Sequence, residues 1–175
     1  MIVADLTPFQ TIGPYFAILP LEGEAYAAIA GAPGRAIVIA GTVRDGAGAV
    51  VPDALVETWQ ADAAGRCDAC DEQFRGFARA MTDAAGRYEI RTIAPGSIGA
   101  GHAPHVLVSV LARGVLTRLV SRVYFPDAGA NATDPILAIV PEARRATLLA
   151  VAESSDRYRF DIVLQGPGET AFFDV

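Results

Sequence analysis

The apolar positions of this chain recur mostly at a period of two. "RAIVIAGTV" (35–43) and "ALVETWQA" (54–61) are rich in β-branched and aromatic residues, and the stretch between them, "RDGAGAVVPD", carries Asp-Gly and Pro-Asp turn signals. "GFARAMTD" (76–83), the turn "DAAGR" and "RYEIRTI" (87–93) read as a hairpin. "HVLVSVLA" (105–112), "LTRLVSRVYF" (116–125) and "YRFDIVLQ" (158–165) follow. In the last of these, Tyr158, Phe160, Ile162 and Leu164 alternate with polar or smaller neighbours. One segment breaks the rule. "PEARRATLLAVAE" (141–153) opens on a proline suited to a first helical turn and continues with helix formers, Leu148, Leu149 and Val151 making an apolar stripe. The pattern predicts an all-β fold: a single-domain β-sandwich over residues 1–175, with long connections, an N-terminal arm (1–34) and one short helix near 141–153.

Composition sharpens that picture. A chain of 175 residues is long enough to bury a real core. Its 52% hydrophobic and 19% charged content exceeds what a fully solvated surface needs, which points to a surface partly covered by a partner. All 14 basic residues are arginines, so Schiff-base and phosphate-loop lysine chemistry are excluded. A net charge of -6 with no basic run argues against nucleic acid. "MIVADLTPFQ" has no basic leader followed by an apolar core, and no apolar run approaches the roughly 20 residues that span a bilayer. The expectation is a cytoplasmic protein with no membrane partner.

Both histidines lie in "GHAPHVLVSV" (101–110), and Cys67 and Cys70 form a Cys-x-x-Cys pair. Together Cys67, Cys70, His102 and His105 supply two thiolates and two imidazoles, a set that suits tetrahedral zinc. The spacing is unlike that of structural zinc pairs, and His105 enters a strand while His102 sits in a loop rich in Gly and Pro. The competing reading is two reduced cysteines in a loop, one loop histidine and one core histidine.

Four separated stretches carry a more specific signal: "TIGPYF" (11–16), "GTVRDGAGAVVPDALVETWQADAAGR" (41–66), "TDAAGRYEIRTIAPG" (82–96) and "RYRFDIVLQGPGETAFFD" (157–174). In this order, through nearly the whole chain, they resemble the intradiol ring-cleaving dioxygenases. The ending "GETAFFDV" resembles the α chains of the two-chain members. The resemblance implies a β-sandwich and cleavage of protocatechuate by O₂ to 3-carboxy-cis,cis-muconate. It also implies Fe(III) held by two tyrosines and two histidines of a homologous β subunit, in a hetero-oligomer of αβ units. Phenolate and imidazole are hard donors suited to ferric iron.

By the same resemblance, this chain lacks the ligands. The position of one ligand tyrosine, just past "APG", is Ile98. The His-x-His pair that opens a strand is His105 followed by Leu107. The upstream segment "GRCDACDEQFRGF" (65–77) has no tyrosine. The expectation is therefore no catalytic residue and no metal ligand in this chain, with His105 a hydrogen-bonded core residue.

What remains is a substrate-shaping role. The resemblance brings Thr11, Gly13, Pro14 and Tyr15 to the partner's substrate pocket: Gly13 permits close backbone approach, Pro14 stiffens the turn and Tyr15 offers a ring and a hydroxyl. It also turns Arg113, in "LARGVLTR", toward that pocket, where a guanidinium suits a planar carboxylate. Against this stand an arm that merely packs on the partner and an arginine that is solvated or ion-paired. Trp59 and Tyr88 read as core or interface rings, and Arg118 and Arg122 as a solvated or partner-facing strand face. Asp161 reads as one half of an arginine pair. A stand-alone β-sandwich binding module and the zinc-stabilised domain are the alternatives.

Overall fold

β1 (Ala36–Arg44) is the spine of the first sheet, because its β-branched residues Ile37, Ile39 and Val43 all point inward and are buried. In this computed structural model, which describes residues 25–28, 30–68, 72–99 and 101–174, it pairs on both edges. β4 (Arg87–Ile93) runs antiparallel to it in the register Ala36↔Ile93 to Thr42↔Arg87. On the other edge β8 (Arg157–Arg159) and then β9 (Ile162–Val163) run parallel to it, and β7 (Val151–Ala152) closes the sheet beside β8. The second sheet is wholly antiparallel, in the order β3 (Phe77–Met81), β2 (Leu55–Gln60), β5 (His105–Leu111), β6 (Leu119–Tyr124). Ile37, Ile39, Tyr88, Ile90, Tyr158 and Phe160 of one sheet meet Val56, Ala78, Val106, Val108, Val110 and Val123 of the other. This is the β-sandwich that the alternation predicts.

Three expectations change in detail. The hairpin expected over 76–93 does not form: β3 pairs with β2 and β4 with β1, so the Asp83–Arg87 turn carries the chain from one sheet to the other. The strand expected over 158–165 is two strands, β8 and β9, because the chain switches partner at Phe160 and Asp161. The Phe160 N–H donates to the Ala40 carbonyl at 2.8 Å, but the next β1 donor, Thr42 N–H, is taken by the Asp161 side chain at 3.0 Å. The freed Phe160 carbonyl turns toward Gly41 and accepts the Tyr88 hydroxyl at 2.6 Å. A Cβ at Gly41 would stand 1.9 Å from that oxygen, so only glycine fits.

The short helix expected near 141–153 is present but covers only the first part of that segment. Only α2 (Glu142–Arg145) and a 3₁₀ turn (Ala146–Leu148) form there. The Ala150 N–H donates to the Tyr124 carbonyl at 2.9 Å, Leu149 bridges to Tyr124, and the chain continues extended as β7. Pairing with β6 overrides helix propensity. Another short helix precedes it: α1 (Pro135–Ile139), capped by Asp134, whose carboxylate accepts from the Ile136 and Leu137 N–H groups, with Pro135 at the first turn.

Candidate functional site

β5 has two chemically different ends. At its start His105 sits opposite Tyr124 of β6, with ring centroids 5.6 Å apart. His105 Nδ1 lies 2.8 Å from the Ala103 carbonyl, which can only accept, so Nδ1 carries the proton and Nε2 is the bare nitrogen. Burial pushes the His105 imidazolium below the usual histidine range, and the Arg122 guanidinium acts in the same direction. Next to it Asp134 is fully buried and accepts from Ala103 N–H at 2.8 Å and Tyr124 OH at 3.1 Å, besides its two helix donors. Burial alone would raise its carboxyl, but the donors prevail and hold it below the usual carboxylate range. Burial, helped by Asp134, drives the Tyr124 phenol up to about 12. His102 Nδ1 lies 3.7 Å from Asp134 and makes no hydrogen bond among the described residues.

This cluster does not fit a ferric ion. The Tyr124 hydroxyl donates to Asp134, whose oxygens are already taken by three backbone N–H groups, so both side chains are engaged within the cluster. Along the same sheet face the residue after His105 is Leu107, not a donor. Directly paired positions place Phe77, Trp59, Leu107 and Arg122 in one row across all four strands. The Trp59 and Phe77 rings lie 4.3 Å apart and Trp59 is 45% exposed. Ile98, at the expected tyrosine position, is likewise exposed. Among the described residues, no three His, Cys, Asp or Glu side chains stand where one metal could be held. Of the zinc set, Cys67 is exposed, the His102 and His105 ring centroids are 6.4 Å apart, and Cys70 lies outside the described residues.

The far end of β5 carries Arg113. The seven residues of β5, roughly 20 Å of extended chain, lie between it and the His105 end, so it cannot act at that end of its own chain. It occupies the tight turn before β6, closed by the Val115 N–H on the Ala112 carbonyl at 3.1 Å, with Gly114 in the left-handed region. Its Nη2 donates to Asp53, while its side chain remains mostly exposed. Asp53 has φ of 58°, the one non-glycine residue among those described with a positive φ, a conformation that glycine, asparagine and aspartate adopt more readily than other residues. An open groove of about 600 Å³ runs past the pair, lined also by Asp45, Val51, Leu119 and Leu164.

The expected substrate residues Thr11, Gly13, Pro14 and Tyr15 lie outside the described residues. Tyr88 is a core ring, Trp59 an exposed face ring, and Asp161 takes Arg159 as well as Thr42 N–H. Arg122 lies on the outer sheet face, reaching Tyr124 OH at 3.4 Å. Sequence reasoning missed three polar residues. Asp134 was legible as Asp-Pro, a helix-start signal; Tyr124 and Asp53 carried no local mark of their tertiary partners.

A family model described as dioxygenase matches residues 13–166. The protocatechuate 3,4-dioxygenase alpha chain of Burkholderia cepacia is 44% identical, covering 97% of this chain and 97% of that protein. The protocatechuate 3,4-dioxygenase beta chain of the same organism is 40% identical, over 78% of this chain and 67% of that one. Among solved structures, the dioxygenase domain of a carbohydrate-binding fusion protein from Streptomyces sp. SirexAA-E superposes with a TM-score of 0.66 at 28% identity. The match covers 95% of this chain and 100% of that one.

Proposed function

This chain belongs to the intradiol ring-cleaving dioxygenases, and from that premise we propose that it is the α subunit of a protocatechuate 3,4-dioxygenase. It pairs with a homologous β subunit that binds Fe(III), and it contributes no iron ligand itself. The observation that carries this reading is the row Phe77–Trp59–Leu107–Arg122, which puts hydrocarbon beside His105 where a second imidazole would have to stand. The reaction is cleavage of protocatechuate between its hydroxylated carbons by O₂, giving 3-carboxy-cis,cis-muconate. The iron of the partner supplies the activation of the catechol, and this chain binds and orients the substrate. Arg113 is suited to the second task. One N–H of Nη2 is engaged among the described residues; the second Nη2 N–H still forms a two-pronged edge with a neighbouring donor for a planar carboxylate. Because Arg113 stands at the opposite end of β5 from the His105 cluster, it serves a pocket on another chain. The arm residues Thr11, Gly13, Pro14 and Tyr15 are assigned to the same pocket wall.

In this reading residues 1–175 make one domain with an N-terminal arm at 1–34, and several αβ units associate in the cytoplasm. No helix among the described residues is long and apolar enough to cross a membrane. The test is co-expression with a homologue that carries two tyrosine and two histidine ligands. The expected result is a copurifying, red-brown complex that cleaves protocatechuate. Failure of the two chains to associate, or full activity of the iron-bearing chain at wild-type KM without this one, overturns the assignment.

A further inference from the structure

We infer that Asp53 is a positioning residue for Arg113: its carboxylate holds the guanidinium at the groove mouth in the orientation that meets the carboxylate of the aromatic substrate. This inference rests on the α-subunit reading and extends it to a residue that never touches substrate.

The geometry separates Asp53 from its neighbours. Asp45, the other acidic residue lining the groove, has its Oδ1 occupied by the N–H groups of Ala47 and Ala49 at 2.9 Å, so it serves its own turn. Asp53 is placed differently. Thr82 clasps the turn that presents it: the Asp53 N–H donates to the Thr82 carbonyl, and the Ala54 N–H donates to Thr82 Oγ1 at 2.8 Å. The Thr82 hydroxyl in turn donates to the Val51 carbonyl at 2.8 Å. The backbone is thus fixed from three sides in a conformation that glycine would take without strain. Aspartate is one of the few side chains that tolerate this conformation, so the turn presents a carboxylate here, and its described partner is Arg113. Arginine on a short surface turn otherwise samples many rotamers. Anchoring one nitrogen leaves the remaining edge of the fork aimed in one direction, which lowers the ordering cost of a bidentate contact.

The glycine preference supplies the test. Asp53→Gly relieves the strained turn while deleting the anchor, so folding is not at risk. Assembled enzymes carrying Asp53→Gly, Asp53→Asn, Arg113→Ala and the Asp53→Gly/Arg113→Ala pair are compared with wild type. The measurements are steady-state kinetics, anaerobic equilibrium titration with protocatechuate, kinetics with unsubstituted catechol, and Tm. Asp53→Gly is expected to raise KM and Kd for protocatechuate roughly three- to fivefold, the scale of an exposed ion pair. Its kcat and Tm should hold, the loss should be confined to the carboxylated substrate, and Asp53→Asn should lose less. In the Arg113→Ala background, Asp53→Gly should add nothing. If Arg113→Ala weakens protocatechuate binding but Asp53→Gly does not, the positioning role is overturned and the α-subunit reading stands. If Arg113→Ala itself has no effect, the substrate role of Arg113 falls and this inference with it. A loss that persists in the double variant, or that is equal for catechol, assigns Asp53 to turn structure alone.

Discussion

Asp134 accepts from the Ala103, Ile136 and Leu137 N–H groups and from the Tyr124 hydroxyl, and that environment fixes a pH signature. Its carboxyl lies below the usual range in the folded chain, so it contributes stability that is fully present above the unfolded value near 4 and is lost as pH falls through the folded value. Asp134→Asn puts an amide donor among N–H donors and should cost about 1–3 kcal/mol at pH 7. Chemical denaturation as a function of pH should find wild type and variant converging in acid. His105 acts in the same direction through a depressed imidazolium: stability is full above about 6.5 and declines as pH falls below it. An NMR titration should place its midpoint below that of a free histidine, with Nδ1 protonated in the neutral form. The sequence made the partial loss of the ligand pair legible, since His105 and Leu107 stand two apart on one strand face. It could not reveal that Asp134 and Tyr124 close around His105, because those contacts span ten to thirty residues.

Most strands of both sheets were legible because a buried apolar face alternates with a more polar one, but the turn signal between β3 and β4 did not reveal that these two strands belong to different sheets. What was not legible was where pairing changes partner. The alternation of Tyr158, Phe160, Ile162 and Leu164 continues unbroken across the switch from β8 to β9, so periodicity alone predicts one strand. The switch is written instead in Gly41, Tyr88 and Asp161, three residues far apart in sequence that together receive the Phe160 carbonyl and replace it in the ladder. Gly41→Ala should therefore destabilise the chain by about 3 kcal/mol or more, since the added methyl meets backbone that cannot yield without breaking β1 pairing. Thermal unfolding would check this; a variant within 0.5 kcal/mol of wild type, a margin typical of neutral surface changes, would contradict it. The early end of the helix near 141–153 has the same origin, a tertiary pairing with Tyr124 that local propensity does not contain.

At the scale of the molecule, one outer sheet face sets the behaviour. Phe77, Trp59 and Leu107 lie side by side on a surface that an isolated antiparallel sheet would present to water as polar. With a net charge of only -6 and no lysine to keep it dispersed, the chain expressed alone should self-associate, as sedimentation would detect, and become a single species with its partner. The central claim is that this chain shapes a pocket whose iron belongs to another chain. Elemental analysis of the chain alone and of the copurified pair, combined with native mass spectrometry, tests it most directly. One iron per αβ pair and no stoichiometric iron in the chain alone are expected; one tightly bound iron per isolated chain would contradict the pocket-shaping role.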